Sequence, residues 1–476
     1  MQRLSGLDAG FLYLETPSQH LHICGLLILD PSTVPDGYDY RAVRRELDAR
    51  LDAVPAFRMK LADSRFNLDH PVWVDDKDFD LDRHLHHVAV PAPGSRTELA
   101  DLCGHIAAQP LDRAKPLWEM WVVEGLDDGS IAMILKMHHA GVDGVSGAAM
   151  IAQLCSLDPA APRPDKVAPG VGGGNEIYMA VTGAVNVALR PLHLARILPS
   201  AVTSVASWVA RARRGDAMPA PFTAPRTPFN STITGHRAVA FAQLELADVK
   251  TVKNAFDVKV NDVVMTLVAS ALRSYLEGRG ELPDSPLVGM VPVSVHEESD
   301  RPGRNQVSAM FAGLHTHIED PVERLRALSE ANEVAKDHNA ELGANMLQDW
   351  SQFMGAAVFG AAMRTYATLR LADKHPAIHN LVISNVPGPP QALYFLGAHV
   401  TALYPFGPLF HGAGLNITVI SLEGKLDVGL ITCPELVPDL WVLTDYLAPA
   451  LDELLAAAEQ ARSSDDEDSS VDGVSR

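Results

Sequence analysis

The residues best suited to chemistry sit close together in LKMHHAGVDGVSG (135–147), where His138 and His139 are adjacent and Asp143 follows four residues after the second. An imidazole that titrates near neutrality can take a proton from a hydroxyl and hand it to a leaving group. If the pair closes a strand, the two rings point to opposite sides. One can then enter a cleft while its neighbour faces the interior. Asp143 can fold back to fix the turn and cap a helix that starts at Gly144. Two other readings use the same residues. One is architectural: two satisfied histidines in a turn, with Asp143 as a helix cap. The other is a metal shared by His139 and Asp143, which needs a helix to bring positions i and i+4 together. The glycines oppose that helix, and no third ligand is near in sequence. His84, His86 and His87 pose the same choice in HLHH, between a metal-binding strand face and a solvated strand end.

The elements that must position these residues can be read from periodicity and turn signals. WEMWVVEG and IAMILKM, separated by LDDGS, predict a hairpin over 118–137 whose second strand ends at the histidines. From Gly144 the text GVSGAAMIAQLCSL turns helical. The histidines therefore occupy a strand-to-helix connection, a common setting for functional side chains. In the second half, HRAVAFAQLEL reads as a strand and VNDVVMTLVASALRSYLEG as a helix with Asn261 or Asp262 at its N-cap. Further strands are expected at LVGMVPVSV, NQVSAMFAGL and IHNLVISNV, with a hairpin of GLNITVISL and KLDVGLIT turning at Glu423-Gly424. Helices are expected over 321–340, 344–372 and 438–460. Between the halves lies a stretch rich in Pro and Gly. Its segment 177–214 has no Asp, Glu or Lys but five arginines: Arg190, Arg196, Arg211, Arg213 and Arg214. The predicted organisation is an α/β (α+β) domain at 1–157, a crossover at 158–228, a second such domain at 229–462 and a disordered acidic tail at 463–476.

Composition narrows the function. The 476 residues are 47% hydrophobic and 21% charged, with a formal net charge of −20, of which the tail supplies only −4 from five acids and one arginine. So acidic a surface argues against a nucleic-acid partner. The four cysteines (24, 103, 155 and 433) show no C-x-x-C spacing, which suits free thiols in a reducing compartment. No signal-peptide layout and no long apolar run is present, so a cytoplasmic protein is expected. Gly144-Val145-Ser146-Gly147 is not a nucleophile elbow because Ala148 fills the last place, and no phosphate-binding loop occurs. One histidine base acting on two bound substrates remains, and acyl transfer to a hydroxyl fits that description.

Several blocks carry a wider resemblance. LSGLDAGFLYLET, LDRAKPLWE, HHAGVDG, PRTPFN, VNDVVM, MVPVSV, RNQVSAMF, NLVISNVPGP and GLNITVISLEGKLDVGL run in order from residue 4 to about 430. Together they resemble the bacterial wax ester synthase/acyl-CoA:diacylglycerol acyltransferase family, within the chloramphenicol-acetyltransferase-like superfamily. The HHxxxDG motif alone is shared with many acyltransferases and condensation domains; PLW, ND and SNVPGP together are narrower. One departure is His296, which stands where the family commonly has an arginine.

The resemblance implies two similar α/β domains with an active-site channel between them. It implies His139 as the general base on the acceptor hydroxyl, His138 as its support and Asp143-Gly144 as turn geometry. Asn385 and Asn416 become candidate oxyanion donors. Asn261 and Asp262 either shape a helix start or approach the site. Pro116, Leu117 and Trp118 either line the acyl channel or open a strand. The implied partners are long-chain acyl-CoA, a diacylglycerol or fatty alcohol, and the surface of a membrane or lipid droplet, with no cofactor or metal. The arginines of 177–214 would suit an interfacial anchor. A carrier-protein-dependent condensation enzyme and a weakly catalytic droplet-coating protein are the rival expectations.

Overall fold

A computed structural model describes residues 2–34, 36–62, 70–141, 154–160, 203, 206–294, 307–342 and 356–472. Within them lie helix α1 (Gly6–Leu14), strand β1 (His22–Asp30), β2 (Leu85–Ala89), α2 (Arg96–Ala107), β3 (Trp118–Glu124) and β4 (Ile131–His138). The second half adds β5 (Ala238–Glu245), α3 (Val260–Gly278), β6 (Val288–Ser294), β7 (Val307–Gly313) and α4 (Pro321–Leu342). It continues with α5 (Ala356–Thr368), β8 (Leu381–Val386), β9 (Ala398–Phe406), β10 (Leu415–Leu422), β11 (Lys425–Thr432) and α6 (Leu447–Asp472).

These strands form two large mixed sheets. The first runs in the order β2-β3-β4-β1-β9 and ends on the short strands Tyr394–Phe395 and Cys155–Ser156. The second runs β7-β6-β8-β10-β11-β5. The predicted hairpins are present. Trp118 pairs with Met137 across β3 and β4. Glu423 and Gly424 both adopt positive φ (46° and 82°), as the two-residue turn between β10 and β11 demands. Every residue of β4 is buried, so it reads as a continuous apolar run broken only by Lys136 and His138. Helix α3 spans the residues expected of it and buries Val263, Val264, Leu267, Val268, Ala271 and Leu272 in the core of the second half. Its N-cap is Lys259 and not Asn261 or Asp262. Asp262 stands in the first turn and accepts the Lys259 N–H at 3.1 Å.

The two halves interlock. Although β9 belongs to the second half of the chain, it completes the first sheet, pairing antiparallel with β1 from His399–Asp30 to Phe406–Cys24. It also lies flat against β11. A Cβ on Gly429 would meet the Pro405 carbonyl oxygen at 2.0 Å, so only glycine permits the approach. The register against β1 shifts between Val400 and Ala402. Beside that irregularity the Leu403 N–H donates to Asp427 of β11 at 2.7 Å, and Gln243 of β5 donates to the Thr401 carbonyl at 3.2 Å.

Three expectations are corrected. His84 is buried rather than solvated: Nδ1 lies 2.8 Å from the Trp118 carbonyl and the ring stacks on Trp118 at 4.6 Å. His86 packs on Trp121, and His87 pairs with Glu124 at 2.8 Å. The acidic stretch after residue 462 continues α6 to Asp472, with the Ser463 hydroxyl donating to Glu459 O one turn back. The helix expected at 438–460 is split into Leu440–Asp445 and α6. All four cysteines are free and buried.

Substituting Gly429→Ala forces β9 away from β11 and should destabilise the protein by about 1–3 kcal/mol, the usual scale for overpacking. Urea denaturation measures it, and an unchanged midpoint would contradict the close approach.

Candidate active site

Strand alternation at the end of β4 separates the two histidines. Leu135, Met137 and His139 line a cavity between the sheets. Lys136 and His138 face the other way. Lys136 is fully buried and donates to the Ile106 and Gln109 carbonyls at 3.2 Å each, with Glu119 at 2.8 Å. His139 is fixed through its backbone N–H, which donates to Leu21 O at 2.8 Å, and its ring stacks on Phe11 of α1 at 4.2 Å.

His138 is held on three sides. Its N–H donates to Leu117 O at 3.0 Å, and its Nδ1 accepts the Ala140 N–H at 3.0 Å. Because Nδ1 accepts, the ring proton sits on Nε2, which lies 3.2 Å from Glu15 Oε1 at an oblique angle. Glu15 Oε1 also accepts the Leu21 N–H at 2.8 Å, and Oε2 takes Arg113 Nη2 at 2.6 Å. Burial alone would raise the Glu15 carboxyl. His138, Arg113 and the Leu21 amide overcome it and hold the group well below the usual carboxylate range. Glu15 thus joins the segments before and after β1 to the strand end that carries both histidines. Neither Glu15 nor Arg113 was singled out from the sequence. The blocks LYLET and LDRAKPLWE that contain them were the available signal, but nothing local in them says that they meet.

The cavity is about 430 Å³, within the usual range of small-molecule sites. Helix α1 contributes Leu7, Gly10 and Phe11, and the first sheet contributes Ile23, Cys24 and Leu403. From the second sheet three paired rows face it: Val382 with Asn416, Ser384 with Thr418, and Val386 with Ile420. Burial pushes the Cys24 thiol up to about 12, so it remains protonated and is no activated nucleophile. Asn416 is fixed by donating to Pro408 O at 3.2 Å and accepting from the Thr418 hydroxyl at 2.8 Å. Gly407 must be glycine beside it, since a Cβ would lie 2.4 Å from its Nδ2.

Not every expected residue reaches this cavity. Asn385 alternates with Ser384 and so faces away, donating to Asn261 Oδ1 at 3.2 Å. SNVPGP therefore presents its serine, not its asparagine. Asp262 accepts from Ser329 at 3.0 Å and Asn332 at 2.8 Å, which ties the start of α3 to α4. Trp118 opens β3 with Nε1 donating to Phe57 O at 2.8 Å, Leu117 packs beneath α1, and Pro116 bridges Lys60. These three brace the histidine strand from behind and are not among the cavity's lining residues. Asp143, Gly144 and His296 lie outside the described residues, as does most of 177–214. Among the described residues no group of His, Cys, Asp and Glu could hold a metal ion.

Two mixed sheets, the first completed by a strand from the second half of the chain, with a strand-end histidine in the gap, define a chloramphenicol-acetyltransferase-like fold. In fold alone the chain is similar to the first condensation domain of the calcium-dependent antibiotic synthetase (TM-score 0.56, 16% identity, 96% of this chain and 97% of that one). Within that class the chain belongs to the wax ester synthase/diacylglycerol acyltransferase family. Residues 4–264 match its catalytic domain and 304–455 its C-terminal domain. It is 52% identical to a provisionally named diacylglycerol O-acyltransferase of Mycobacterium tuberculosis, over 98% of this chain and 93% of the relative. A second one from that organism is 35% identical over 96% of this chain and 98% of its own. The wax ester synthase/diacylglycerol acyltransferase from Marinobacter aquaeolei VT8 superposes with a TM-score of 0.68 at 29% identity, over 96% of this chain and all of that one.

Replacing Glu15 by Gln removes the charge that Arg113 and His138 share. Stability should fall by about 1–3 kcal/mol at neutral pH. Because the Glu15 carboxyl is depressed in the folded state, its contribution is present above the ordinary carboxylate pKa and is lost as pH falls through the depressed one. Glu15→Gln should therefore narrow its deficit on acidification. A deficit that is constant from pH 7 to pH 3 in thermal unfolding would refute the assignment.

Proposed function

We propose that the protein transfers a fatty acyl group from acyl-CoA to the hydroxyl of diacylglycerol, giving triacylglycerol, with wax esters from long-chain alcohols as a second product. The observation that carries this is His139, delivered by β4 into an apolar cavity between two sheets while His138 is bound behind it. His139 removes the hydroxyl proton as the oxygen attacks the thioester carbonyl. The C–S bond of the tetrahedral intermediate then breaks, and the proton passes from the imidazole to the departing CoA thiolate. The developing oxyanion needs donors fixed in advance. The Ser384 hydroxyl and the second Nδ2 hydrogen of Asn416 take that role in place of Asn385. No step requires a cofactor or metal. The names of the relatives support the diacylglycerol acceptor, and the apolar lining suits a lipid.

Such an enzyme meets its substrates at a lipid surface. No helix among the described residues is long and apolar enough to cross a membrane. Residues 206–212 are helical, but Trp208 is buried in the core, with Nε1 donating to Met218 O at 2.9 Å. The anchor reading therefore rests on the arginines, of which Arg213 and Arg214 are exposed. Reversing the charge of Arg211, Arg213 and Arg214 should weaken sedimentation with anionic liposomes, and undiminished binding would remove this surface from contention.

His139→Ala should lower acyl transfer about 100- to 10,000-fold, the range of a lost general base. CoA release from oleoyl-CoA, with dioleoylglycerol and hexadecanol as acceptors, reads it. A variant that keeps full rate would overturn the mechanism, and transfer only from an acyl-carrier protein would favour the condensation reading.

A further inference from the structure

The same cavity contains a second histidine from the opposite sheet that the proposed chemistry does not use. His379 precedes β8 and lines the cavity beside Ile378, Val382 and Phe311. Its backbone is held on both sides. Asn230 of PRTPFN donates to His379 O at 3.1 Å, and also to Asn380 O at 3.1 Å and Gly412 O at 2.7 Å. Asn380 in turn exchanges bonds with Val288, its N–H reaching Val288 O at 2.7 Å and its Oδ1 accepting the Val288 N–H at 2.8 Å. This clamp explains a motif that the acyl-transfer chemistry leaves unused, because it fixes the residue from which the imidazole projects.

Among the described residues, neither of the buried His379 nitrogens has a hydrogen-bond partner, His139 included. The Phe311 ring lies 5.9 Å away centroid to centroid. Burial pushes the imidazole down to about 4, so near neutral pH it offers one N–H donor and one acceptor nitrogen. A buried polar group without a partner is unfavourable and rare in folded proteins. Leucine or phenylalanine would fill the same place without that penalty. Because His379 lines the cavity, a partner for its imidazole can come from a molecule bound there.

We propose that His379 is a substrate-binding, specificity-determining residue whose N–H donates to an ester carbonyl of the acceptor diacylglycerol. The chemistry of the two substrates selects that partner. The reacting hydroxyl and the thioester carbonyl both belong at His139, and the acyl chain beyond the thioester is hydrocarbon. A diacylglycerol alone brings further oxygens, its ester carbonyls, into the apolar interior. A fatty alcohol has none. His379 therefore favours a glycerolipid over a simple alcohol without taking part in proton transfer. This inference rests on the acyltransferase reading above.

The test compares 1,2-dioleoylglycerol with its diether analogue, 1,2-dioleylglycerol, which keeps the hydroxyl and the chains but lacks both carbonyls. With oleoyl-CoA as donor, the wild-type enzyme should show a KM roughly tenfold lower for the ester, the scale of one buried hydrogen bond. His379→Leu should abolish that preference by raising KM for the ester alone, with kcat within about twofold on both acceptors. His379→Gln, which retains an N–H donor, should restore most of the preference. A wild type indifferent to the carbonyls, or a His379→Leu variant that still discriminates, would overturn the inference while leaving the transferase reading intact. No CoA release from the wild type with either acceptor would sink both.

Discussion

The close contact of β9 with β11 is the constraint on which the rest of the molecule depends. A strand encoded between Ala398 and Phe406, in the second half of the chain, completes the first sheet beside β1 and lies so near β11 that Gly429 has no room for a side chain. Asp427 and Gln243 satisfy the backbone of β9 where its pairing with β1 is interrupted. The sheets are thereby joined by chain and by packing. The cavity is the space left where they diverge, walled on one side by Leu135, Met137 and Leu403 and on the other by Val382, Ser384 and Asn416.

Within that frame the division of labour at β4 follows from the two-residue period of a strand. One histidine enters the apolar cavity. The other joins a polar layer that includes Glu15, Arg113, Lys136 and Glu119. A buried carboxylate is tolerable only when charge and donors surround it, and Glu15 has His138, Arg113 and the Leu21 N–H. The layer therefore does two things at once. It keeps charge out of the apolar cavity, and it fixes the strand end to which His139 belongs.

The same period sorts the polar residues of the motifs between the cavity and the packing behind it. In SNVPGP parity gives the cavity to Ser384 and turns Asn385 toward Asn261. Asn261 and Asp262 similarly serve the junction of α3 with α4. Gly388 shows what the rest of the motif is for: a Cβ there would lie 1.9 Å from Ser421 O, so the chain leaving β8 is pressed onto β10. A motif states which residues matter together; it does not state which of them face the ligand.

From sequence alone, the strand-end histidine pair, the central hairpin, helix α3, the β10–β11 hairpin and the mixed α/β class were legible, because each is written in local periodicity and turn chemistry. The order of blocks from residue 4 to about 430 also pointed to the family to which the chain belongs. Only tertiary structure decided that β9 crosses between sheets, that Glu15 meets His138, and that Asn230 clamps the backbone of His379. Those contacts join residues far apart in the chain, and their partners are chosen by packing and by the satisfaction of buried polar groups, neither of which leaves a periodic trace in the sequence.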